Sequence, residues 1–513
     1  MERPVWIGVD IGTTGVRAVA YESDGRSHGS ASREYRLLTP KPGWAEQEPS
    51  EVVAAIEDTL RELVSVLAQA NRRPHGLALS SVFHSFLALD RQMRPASNLM
   101  TWADLRGQQM LPEMKQRGLE FLPVYRRVGC PVHPMYPFVK IAWLLKQRPE
   151  FAGNGTRFGS IKDYVFMLLT DEWVVDRSIA SGSGLYNLWK LEWDQDLIRF
   201  LGIVGDSLPR VVPTTYGRAL SKEAAQRTGL PQGIPVVIGA GDGVLVNVGI
   251  GAVQPGYMSA TIGTSGAVRM LSDRPRTDEK GRTWCYNLTD KVWVLGGAIN
   301  NGGIILRWMR DNFGEAERLE AAKLGIDPYD LLIQAAAKVS PGSDGLIMLP
   351  FLLGERAPNW NADARGVLFG LTLRHGRDHL LRAALEGVCF RMNSILLALE
   401  QVAGAVREIR VSGSFTRSQF WLQMLADVFG RTVNLPRINE GAAFGAAVLG
   451  FISAGVLNDI ADTGELVTIA RPFQPVPAAM ATYQRLYPIY EQVYTSLRPS
   501  FTAISAYQNE LAE

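Results

Sequence analysis

Near its start the chain reads Trp6-Ile7-Gly8-Val9-Asp10-Ile11-Gly12-Thr13-Thr14-Gly15-Val16-Arg17, and the rest of the sequence is best understood from this segment. An apolar run ends at the carboxylate of Asp10, glycines and hydroxyls follow, and apolar residues resume at Val16. This order predicts a strand, a tight turn and a second strand. Glycines allow close approach, and successive turn N–H groups beside Thr hydroxyls suit phosphate oxygens. Asp10 could hold a divalent ion there, although an ordinary glycine hairpin is the alternative for this segment alone.

The same pattern returns near the middle of the chain. Ile262-Gly263-Thr264-Ser265-Gly266 repeats Ile11-Gly12-Thr13-Thr14-Gly15, about half of the 513 residues later. Internal similarity at this scale suggests two like domains that face one another, each with one phosphate-binding turn at a shared cleft. So short a glycine motif can also recur by chance.

The composition narrows the class of protein. The chain is 46% hydrophobic and 20% charged with a formal net charge of +2, which is typical of a globular protein and gives no reason to expect nucleic acid or an anionic membrane as partner. Three widely spaced cysteines fit neither a disulfide framework nor a zinc site. The sequence therefore predicts a cytoplasmic protein without a membrane anchor, and it leaves open whether the chain forms a homodimer.

The order of predicted elements indicates an α/β protein, because strands and helices alternate along most of the chain. The run Pro235-Val236-Val237-Ile238-Gly239 reads as a strand that leads into a small-residue turn with an acid, Asp242. Strand-like segments resume around Tyr257 to Val268. The domain boundary is placed near residues 245–257, which gives domains of 1–250 and 251–513, the second ending in a helix.

Two motifs resemble one known family. The segment from Gly8 to Thr14 is similar to the first phosphate motif of the FGGY carbohydrate kinases. The segment Gly354-Glu355-Arg356-Ala357-Pro358-Asn359-Trp360-Asn361-Ala362-Asp363-Ala364-Arg365-Gly366 resembles the long C-terminal signature of that family. The resemblance runs over nearly the whole chain and is strongest to the gluconokinase type. It implies two actin-like, ribonuclease-H-like α/β domains, with ATP, Mg²⁺ and a sugar in the cleft between them.

The resemblance also implies roles for the first phosphate motif and for Asp242. Phosphoryl transfer to an alcohol needs a clamp on the phosphates, a metal ion and a base for the attacking hydroxyl. Asp10 matches the metal-side aspartate, and the phosphate loop comprises Gly12, Thr13, Thr14, Gly15 and Arg17. Arg17 could equally be a surface residue. Asp242, followed by Gly243, is the candidate general base, and a turn aspartate is the plainer alternative.

Sugar recognition is assigned to the N-terminal domain. The segment with Phe83 and His84 matches a substrate loop of the family, and His84 is expected to hydrogen-bond sugar hydroxyls. Trp102 and Asp104 match a substrate-facing tryptophan and acid, while Gly243 allows the sugar to approach Asp242. Lys162 could meet the carboxylate of an acid substrate, although a solvated helix lysine is an equal interpretation.

Nucleotide binding is assigned to the C-terminal domain. The turn residues Gly263, Thr264 and Ser265 are expected to approach the outer phosphates. Gly302, Gly303, Gly413, Ser414 and Ser418 resemble the adenosine pocket of the family. Many relatives carry paired glycines where this chain has Gly413-Ser414, so the contact at Ser414 departs from the pattern.

These inferences converge on an ATP-dependent sugar or sugar-acid kinase, with gluconate as the favoured substrate and 6-phosphogluconate as the product. Xylulose or another pentulose or polyol is the alternative within this class, because subfamilies of one fold exchange substrates readily. An actin-like ATPase without a sugar substrate is a hypothesis from another class.

Overall fold

The computed structural model describes residues 4–153, 155–438 and 440–511. These residues form two compact units. One comprises the described residues up to Pro255 together with Leu271–Leu295 and Glu440–Val467. The other comprises Gly256–Met270, residues 296–438, and the described chain from Thr468 onward. The chain therefore leaves the first unit at Pro255 and returns to it twice.

The strands are short and spread over the whole chain. In order they are β1 (Val5–Ile11), β2 (Gly15–Tyr21), β3 (Ser27–Glu34), β4 (Glu46–Gln47), β5 (Pro74–Ser81), β6 (Leu87–Leu89), β7 (Leu99–Met100), β8 (Arg157–Gly159), β9 (Val174–Asp176), β10 (Tyr186–Asn187), β11 (Glu192–Trp193), β12 (Arg210–Val212), β13 (Gly217–Ala219), β14 (Pro235–Gly241), β15 (Tyr257–Ile262), β16 (Gly266–Ser272), β17 (Trp284–Asn287), β18 (Trp293–Ile299), β19 (Ile347–Leu349), β20 (Val367–Phe369), β21 (Glu408–Ser412), β22 (Val433–Pro436) and β23 (Ile469–Phe473).

Helices separate most of these strands, as the sequence predicts for an α/β protein. In order they are α1 (Pro49–Gln69), α2 (Met110–Gln116), α3 (Phe121–Val128), α4 (Pro137–Gln147), α5 (Ile161–Thr170), α6 (Arg177–Ser181), α7 (Gln195–Leu201), α8 (Lys222–Thr228), α9 (Asp242–Gly249), α10 (Ile304–Phe313), α11 (Glu315–Leu324), α12 (Pro328–Ala337), α13 (Arg377–Ala403), α14 (Gln419–Phe429), α15 (Gly441–Ser453), α16 (Thr463–Leu466) and α17 (Pro477–Glu510).

A six-stranded sheet organises the first unit. Its strand order is β13-β14-β5-β1-β2-β3. Strands β1, β5 and β14 are parallel neighbours, whereas β1, β2 and β3 form an antiparallel meander. Helix α1 packs on β2 and β3, and α15 packs on β1 and β5. Since parallel strands end at the same edge of a sheet, β1, β5 and β14 bring Asp10, Ser80 and Gly241 to one edge.

The second unit repeats this arrangement. Strands β18-β16-β15-β21-β22-β23 are neighbours in that order. Strand β15 is antiparallel to β16 and parallel to β21, as β1 is antiparallel to β2 and parallel to β5. The internal repeat predicted from the two glycine motifs is therefore confirmed, because both motifs join the strands of a hairpin at the same place in their sheets.

Candidate active site

The first glycine motif forms the tight turn between β1 and β2. The Gly12 N–H donates to the Gly15 carbonyl at 2.9 Å. The Tyr35 hydroxyl lies 2.6 Å from the Gly12 carbonyl and 3.0 Å from that of Gly15, and the Gln47 amide donates to the Thr13 carbonyl at 2.7 Å. These side chains occupy the turn carbonyls and so fix the backbone of the turn.

Asp10 lies beside this turn at the end of β1. The Ser80 hydroxyl donates to Asp10 Oδ1 at 2.7 Å. Burial, followed by the charge of Asp242, raises the pKa of the Asp10 carboxyl to about 7, against the lowering effects of the Ser80 hydrogen bond and of Arg17. Arg17 forms an ion pair with Glu440 at 2.8 Å. Asp10 and Asp242 are therefore close enough to interact, as two acids that serve one site would be.

Asp242 is the first residue of α9, directly after β14. The Gly243 N–H donates to Asp242 Oδ1 at 2.6 Å. A Cβ atom on Gly241 would lie 2.3 Å from the Phe83 ring. A larger residue at position 241 would force the Phe83 ring to shift, so glycine allows the ring to pack directly on the backbone before Asp242. Phe83 thus supports the backbone that carries Asp242.

His84 belongs to a cluster of aromatic rings. Its Nδ1 lies 2.8 Å from the Gly182 carbonyl, to which the protonated nitrogen donates. The ring meets Tyr136 edge-on at 4.8 Å between centroids, and Phe83 stacks on Tyr286 at 4.9 Å. The hydroxyls of Tyr136 and Tyr286 are 3.2 Å apart. Rings with polar edges can cover the C–H face of a sugar and hydrogen-bond its hydroxyls.

A buried lysine holds the backbone of this cluster. Lys140 Nζ donates to the carbonyls of His84 and Thr101, both at 2.6 Å. Burial lowers the pKa of the Lys140 ammonium to about 7. The sequence analysis did not select Lys140, Tyr136 or Tyr286, because no local motif marks them and Tyr286 lies 202 positions from His84.

Trp102 and Asp104 differ in their surroundings. The Trp102 indole N–H donates to the Thr13 hydroxyl at 2.9 Å, which links it to the first turn. Asp104 is fully buried. Its carboxylate accepts from the Ala45 N–H at 2.7 Å and from Arg106 Nε and Nη2 at 2.9 and 2.7 Å. The predicted contact between Asp104 and sugar hydroxyls needs correction, since the carboxylate instead anchors Arg106 inside the unit.

Lys162 is also placed differently from the prediction. Its ammonium lies 2.5 Å from Asp176 Oδ2, and both side chains are fully buried. Burial lowers the pKa of Lys162, and the charge of Asp176 acts in the opposite direction. Neither the expected contact with a substrate carboxylate nor the solvated alternative fits, because the ammonium is already paired inside the core.

The second glycine motif is held by a helix instead of by side chains. The Gly263 N–H donates to the Ser265 carbonyl at 2.9 Å. Just before α10, the Gly303 N–H donates to the Gly263 carbonyl at 2.7 Å and the Gly302 N–H to the Thr264 carbonyl at 3.2 Å. A Cβ atom on Gly303 would lie 2.7 Å from the Gly263 carbonyl oxygen. The paired glycines therefore allow the helix start to pack directly on the turn.

A cavity of about 220 Å³ opens beside this turn, within the second unit. Five of the residues predicted for the nucleotide line it: Gly263, Thr264, Gly303, Ser414 and Ser418. Asp327, Tyr329 and Asp330 also line it, although no motif marked them. The predicted residues Ser265, Gly302 and Gly413 are not part of this lining.

Among the described residues no group of three or more His, Cys, Asp or Glu side chains is placed to hold a metal ion. No helix of the described chain is long and apolar enough to cross a membrane.

Family models match both halves of the chain. Residues 5–249 match the N-terminal domain of the FGGY family of carbohydrate kinases, and residues 258–454 match its C-terminal domain. The chain belongs to the FGGY carbohydrate kinases. It is therefore a phosphotransferase with an alcohol group as acceptor, and kinases of this family use ATP.

Individual FGGY relatives are similar over nearly their full length. A gluconokinase from Bacillus subtilis (strain 168) is 41% identical to this chain, and the match covers 98% of both chains. The structure of a gluconate kinase from Lactobacillus acidophilus matches 98% of this chain and 100% of its own with a TM-score of 0.91 at 30% identity. A ligand-bound xylulose kinase from the same organism gives the same coverage, TM-score and identity. These matches confirm the predicted fold class of two actin-like α/β domains.

Proposed function

We propose that this FGGY kinase transfers the γ-phosphoryl group of ATP to a hydroxyl of gluconate and so forms 6-phosphogluconate. The fold does not separate gluconate from xylulose, because kinases of both names match it equally well. The full-length identity of 41% to a gluconokinase supports gluconate. Xylulose is the second candidate. Three buried free cysteines are consistent with a protein of the cytoplasm.

Asp242 carries the chemical part of the proposal. Its carboxylate lies at the start of α9, electrostatically coupled to Asp10 at the same edge of the sheet. As the oxygen of the attacking hydroxyl bonds to the γ-phosphorus, the bond between that phosphorus and the leaving oxygen of ADP breaks. The hydroxyl proton passes to the Asp242 carboxylate, which the Gly243 N–H holds in place at 2.6 Å.

The first turn is suited to the transferring phosphoryl group. The N–H groups and hydroxyls of Thr13 and Thr14 are the proposed donors, and they require no rearrangement because Tyr35 and Gln47 already fix the backbone. Arg17 lies on the adjoining strand, where it forms an ion pair with Glu440.

Asp10 is the residue that would hold Mg²⁺. A hard oxygen donor beside a phosphate-binding turn fits this ion, which is bound by one or two carboxylates together with substrate phosphates. Burial and the charge of Asp242 raise the pKa of Asp10, and a bound cation would favour its charged form. When bound, Mg²⁺ neutralises charge on the phosphate oxygens.

The cavity of the second unit is proposed for the adenosine part of ATP. Its aromatic wall includes Tyr329 and Trp421, and Ser414 contributes at the position where the family pattern has glycine. The Ser418 hydroxyl accepts from the Trp421 N–H at 3.1 Å and so caps α14. Ser418 therefore shapes the wall of the cavity.

Coupled ADP-release assays across gluconate, xylulose, ribulose and glycerol test this proposal. We expect the highest kcat/KM with gluconate and little ATP turnover without a polyol. A higher kcat/KM with xylulose would overturn the assignment to gluconate. ATP hydrolysis that does not depend on any polyol would favour the ATPase hypothesis.

A further inference from the structure

The buried pair of Lys162 and Asp176 needs an explanation other than stability. Lys162 is in the first turn of α5, where a positive charge opposes the helix dipole. Both side chains are fully buried, and replacing a buried ion pair by apolar residues is often neutral or stabilising. The residues that the pair contacts indicate what else it does.

Asp176 is held at both carboxylate oxygens. Oδ2 lies 2.5 Å from the Lys162 ammonium. Oδ1 accepts from the backbone N–H groups of Ser178 and Ile179 at 2.8 and 3.2 Å and from the Ser178 hydroxyl at 2.6 Å. Asp176 thus caps α6, and its orientation fixes the Ser178 hydroxyl.

The Ser178 hydroxyl extends this chain of contacts to β14. Its oxygen accepts from the Gly241 N–H at 2.8 Å, and Gly241 directly precedes Asp242. Ser178 is fully buried. The charge of Asp242 also acts on Lys162, which places the ammonium within electrostatic reach of the carboxylate. A connected path therefore runs from Lys162 through Asp176 and Ser178 to the backbone that carries Asp242.

We infer that Lys162, Asp176 and Ser178 are positioning residues that fix the Asp242 carboxylate for phosphoryl transfer. This inference rests on the proposed role of Asp242 as the base. It assigns the three residues no contact with the sugar, so it replaces the earlier expectation that Lys162 binds a substrate carboxylate. A small displacement of a catalytic group is costly to the rate, whereas substrate affinity depends on it much less.

Ser178→Ala is the sharpest test, because it removes one hydroxyl and no charge. We expect kcat to fall by about 10- to 100-fold, with KM for gluconate and ATP within about twofold of wild type. Thr59→Ala is the matched control, since Thr59 is also fully buried in the first unit and donates to the Ala55 carbonyl at 2.7 Å within α1. The control should keep the wild-type kcat.

A double-mutant cycle with Asp242→Asn separates positioning from general structural damage. If Ser178 acts through Asp242, Ser178→Ala will not lower the residual kcat of the Asp242→Asn variant further. An additive loss in that background, or a wild-type kcat in Ser178→Ala alone, would overturn the inference. Ser178→Thr keeps the hydroxyl and should recover most of the activity.

Asp176→Asn keeps the inference testable if Ser178→Ala does not fold. It retains an oxygen for the Ser178 hydroxyl but loses the charge that pairs with Lys162, so kcat should again fall while both KM values hold. A rise in KM for gluconate at unchanged kcat would overturn the positioning role.

The substrate assignment is tested separately from this inference. If wild type prefers xylulose, the gluconate proposal fails, and the same cycle is run with xylulose. If Asp242→Asn keeps its kcat while Ser178→Ala loses it, the path to Asp242 is wrong even where gluconate is the substrate.

Discussion

The two glycine turns share a pattern in the sequence but are built differently. In the first turn Ile11 pairs with Val16, whereas in the second Ile262 pairs with Gly266, so the second loop is one residue shorter. Side chains of Tyr35 and Gln47 hold the first turn. Backbone N–H groups at the start of α10 hold the second.

The residue before each motif also differs, and this difference separates their tasks. Asp10 precedes Ile11, while Thr261 precedes Ile262 and shares a hydrogen bond of 3.0 Å with the Ser412 hydroxyl. The Asp10 carboxylate brings a negative charge that interacts with Asp242 and would attract a metal ion, whereas the Thr261 hydroxyl is neutral. On the proposed function, one local motif therefore serves phosphoryl transfer in one unit and nucleotide binding in the other.

The largest effect is expected at Asp242. Asp242→Asn keeps the size of the side chain and can still hydrogen-bond the attacking hydroxyl, but it cannot take the proton. We expect kcat to fall by about 10² to 10⁴, with the affinities for sugar and ATP little changed. Steady-state kinetics with calorimetric binding of both ligands checks this. Near-normal kcat, or loss of sugar binding, would make Asp242 a structural residue and remove the chemistry from the first unit.

Asp10→Ala and Thr261→Ala compare the two turns directly. Asp10→Ala should lower Mg²⁺-dependent turnover by about 10² or more, because the charge of the transferring group loses its partner. The fold should survive, as checked by circular dichroism. Thr261→Ala at the matching position should change turnover by less than about threefold, since it removes hydrogen bonds with Ser412 and Arg269 but no charge. Equal losses in the two variants would contradict the division of tasks.

Gly303→Ala tests the helix support of the second turn. The new Cβ atom would lie 2.7 Å from the Gly263 carbonyl oxygen. Overpacking of this kind costs about 1 to 3 kcal/mol. We therefore expect KM for ATP to rise roughly tenfold while KM for gluconate stays unchanged. Gly376→Ala in the same unit is the control, because a Cβ atom there meets nothing within 4 Å. A rise in KM for the sugar instead would show that the turns do not act separately.

The smallest effect concerns the pH dependence of stability in the first unit. The folded-state pKa of Lys140 is lowered to about 7 from 10.5. Between these two pH values the unfolded chain binds the proton that folded Lys140 lacks. The contribution of Lys140 to the free energy of unfolding therefore grows as pH rises and is lost as pH falls toward 7. The free energy of unfolding of wild type relative to Lys140→Met should rise by up to about 1.4 kcal/mol per pH unit. Urea unfolding at pH 7, 8 and 9 measures this, and a constant difference would contradict the lowered pKa.

Sequence reasoning succeeded where the signal was local. The hairpin of Asp10 to Arg17 and its copy at Ile262 follow from short patterns of glycines and apolar residues. It did not find Tyr136, Tyr286 and Lys140, whose single side chains carry no motif. It also misjudged Asp104 and Lys162, because a charged residue in a motif looks the same whether it meets a substrate or a buried partner.

The sequence by itself determined the α/β class, the two turns and the position of Asp242, because turn geometry and strand or helix periodicity depend on residues that are neighbours in the chain. Only the tertiary structure decided that Asp104 holds Arg106, that Lys162 pairs with Asp176, and that Ser178 reaches Gly241. The contact of Ser178 with Gly241 spans 63 positions, and even Asp104 and Arg106, which are two positions apart, are buried together only by the fold. Burial makes them strong, since a charge removed from water must find a partner, and the fold selects which partner lies within reach.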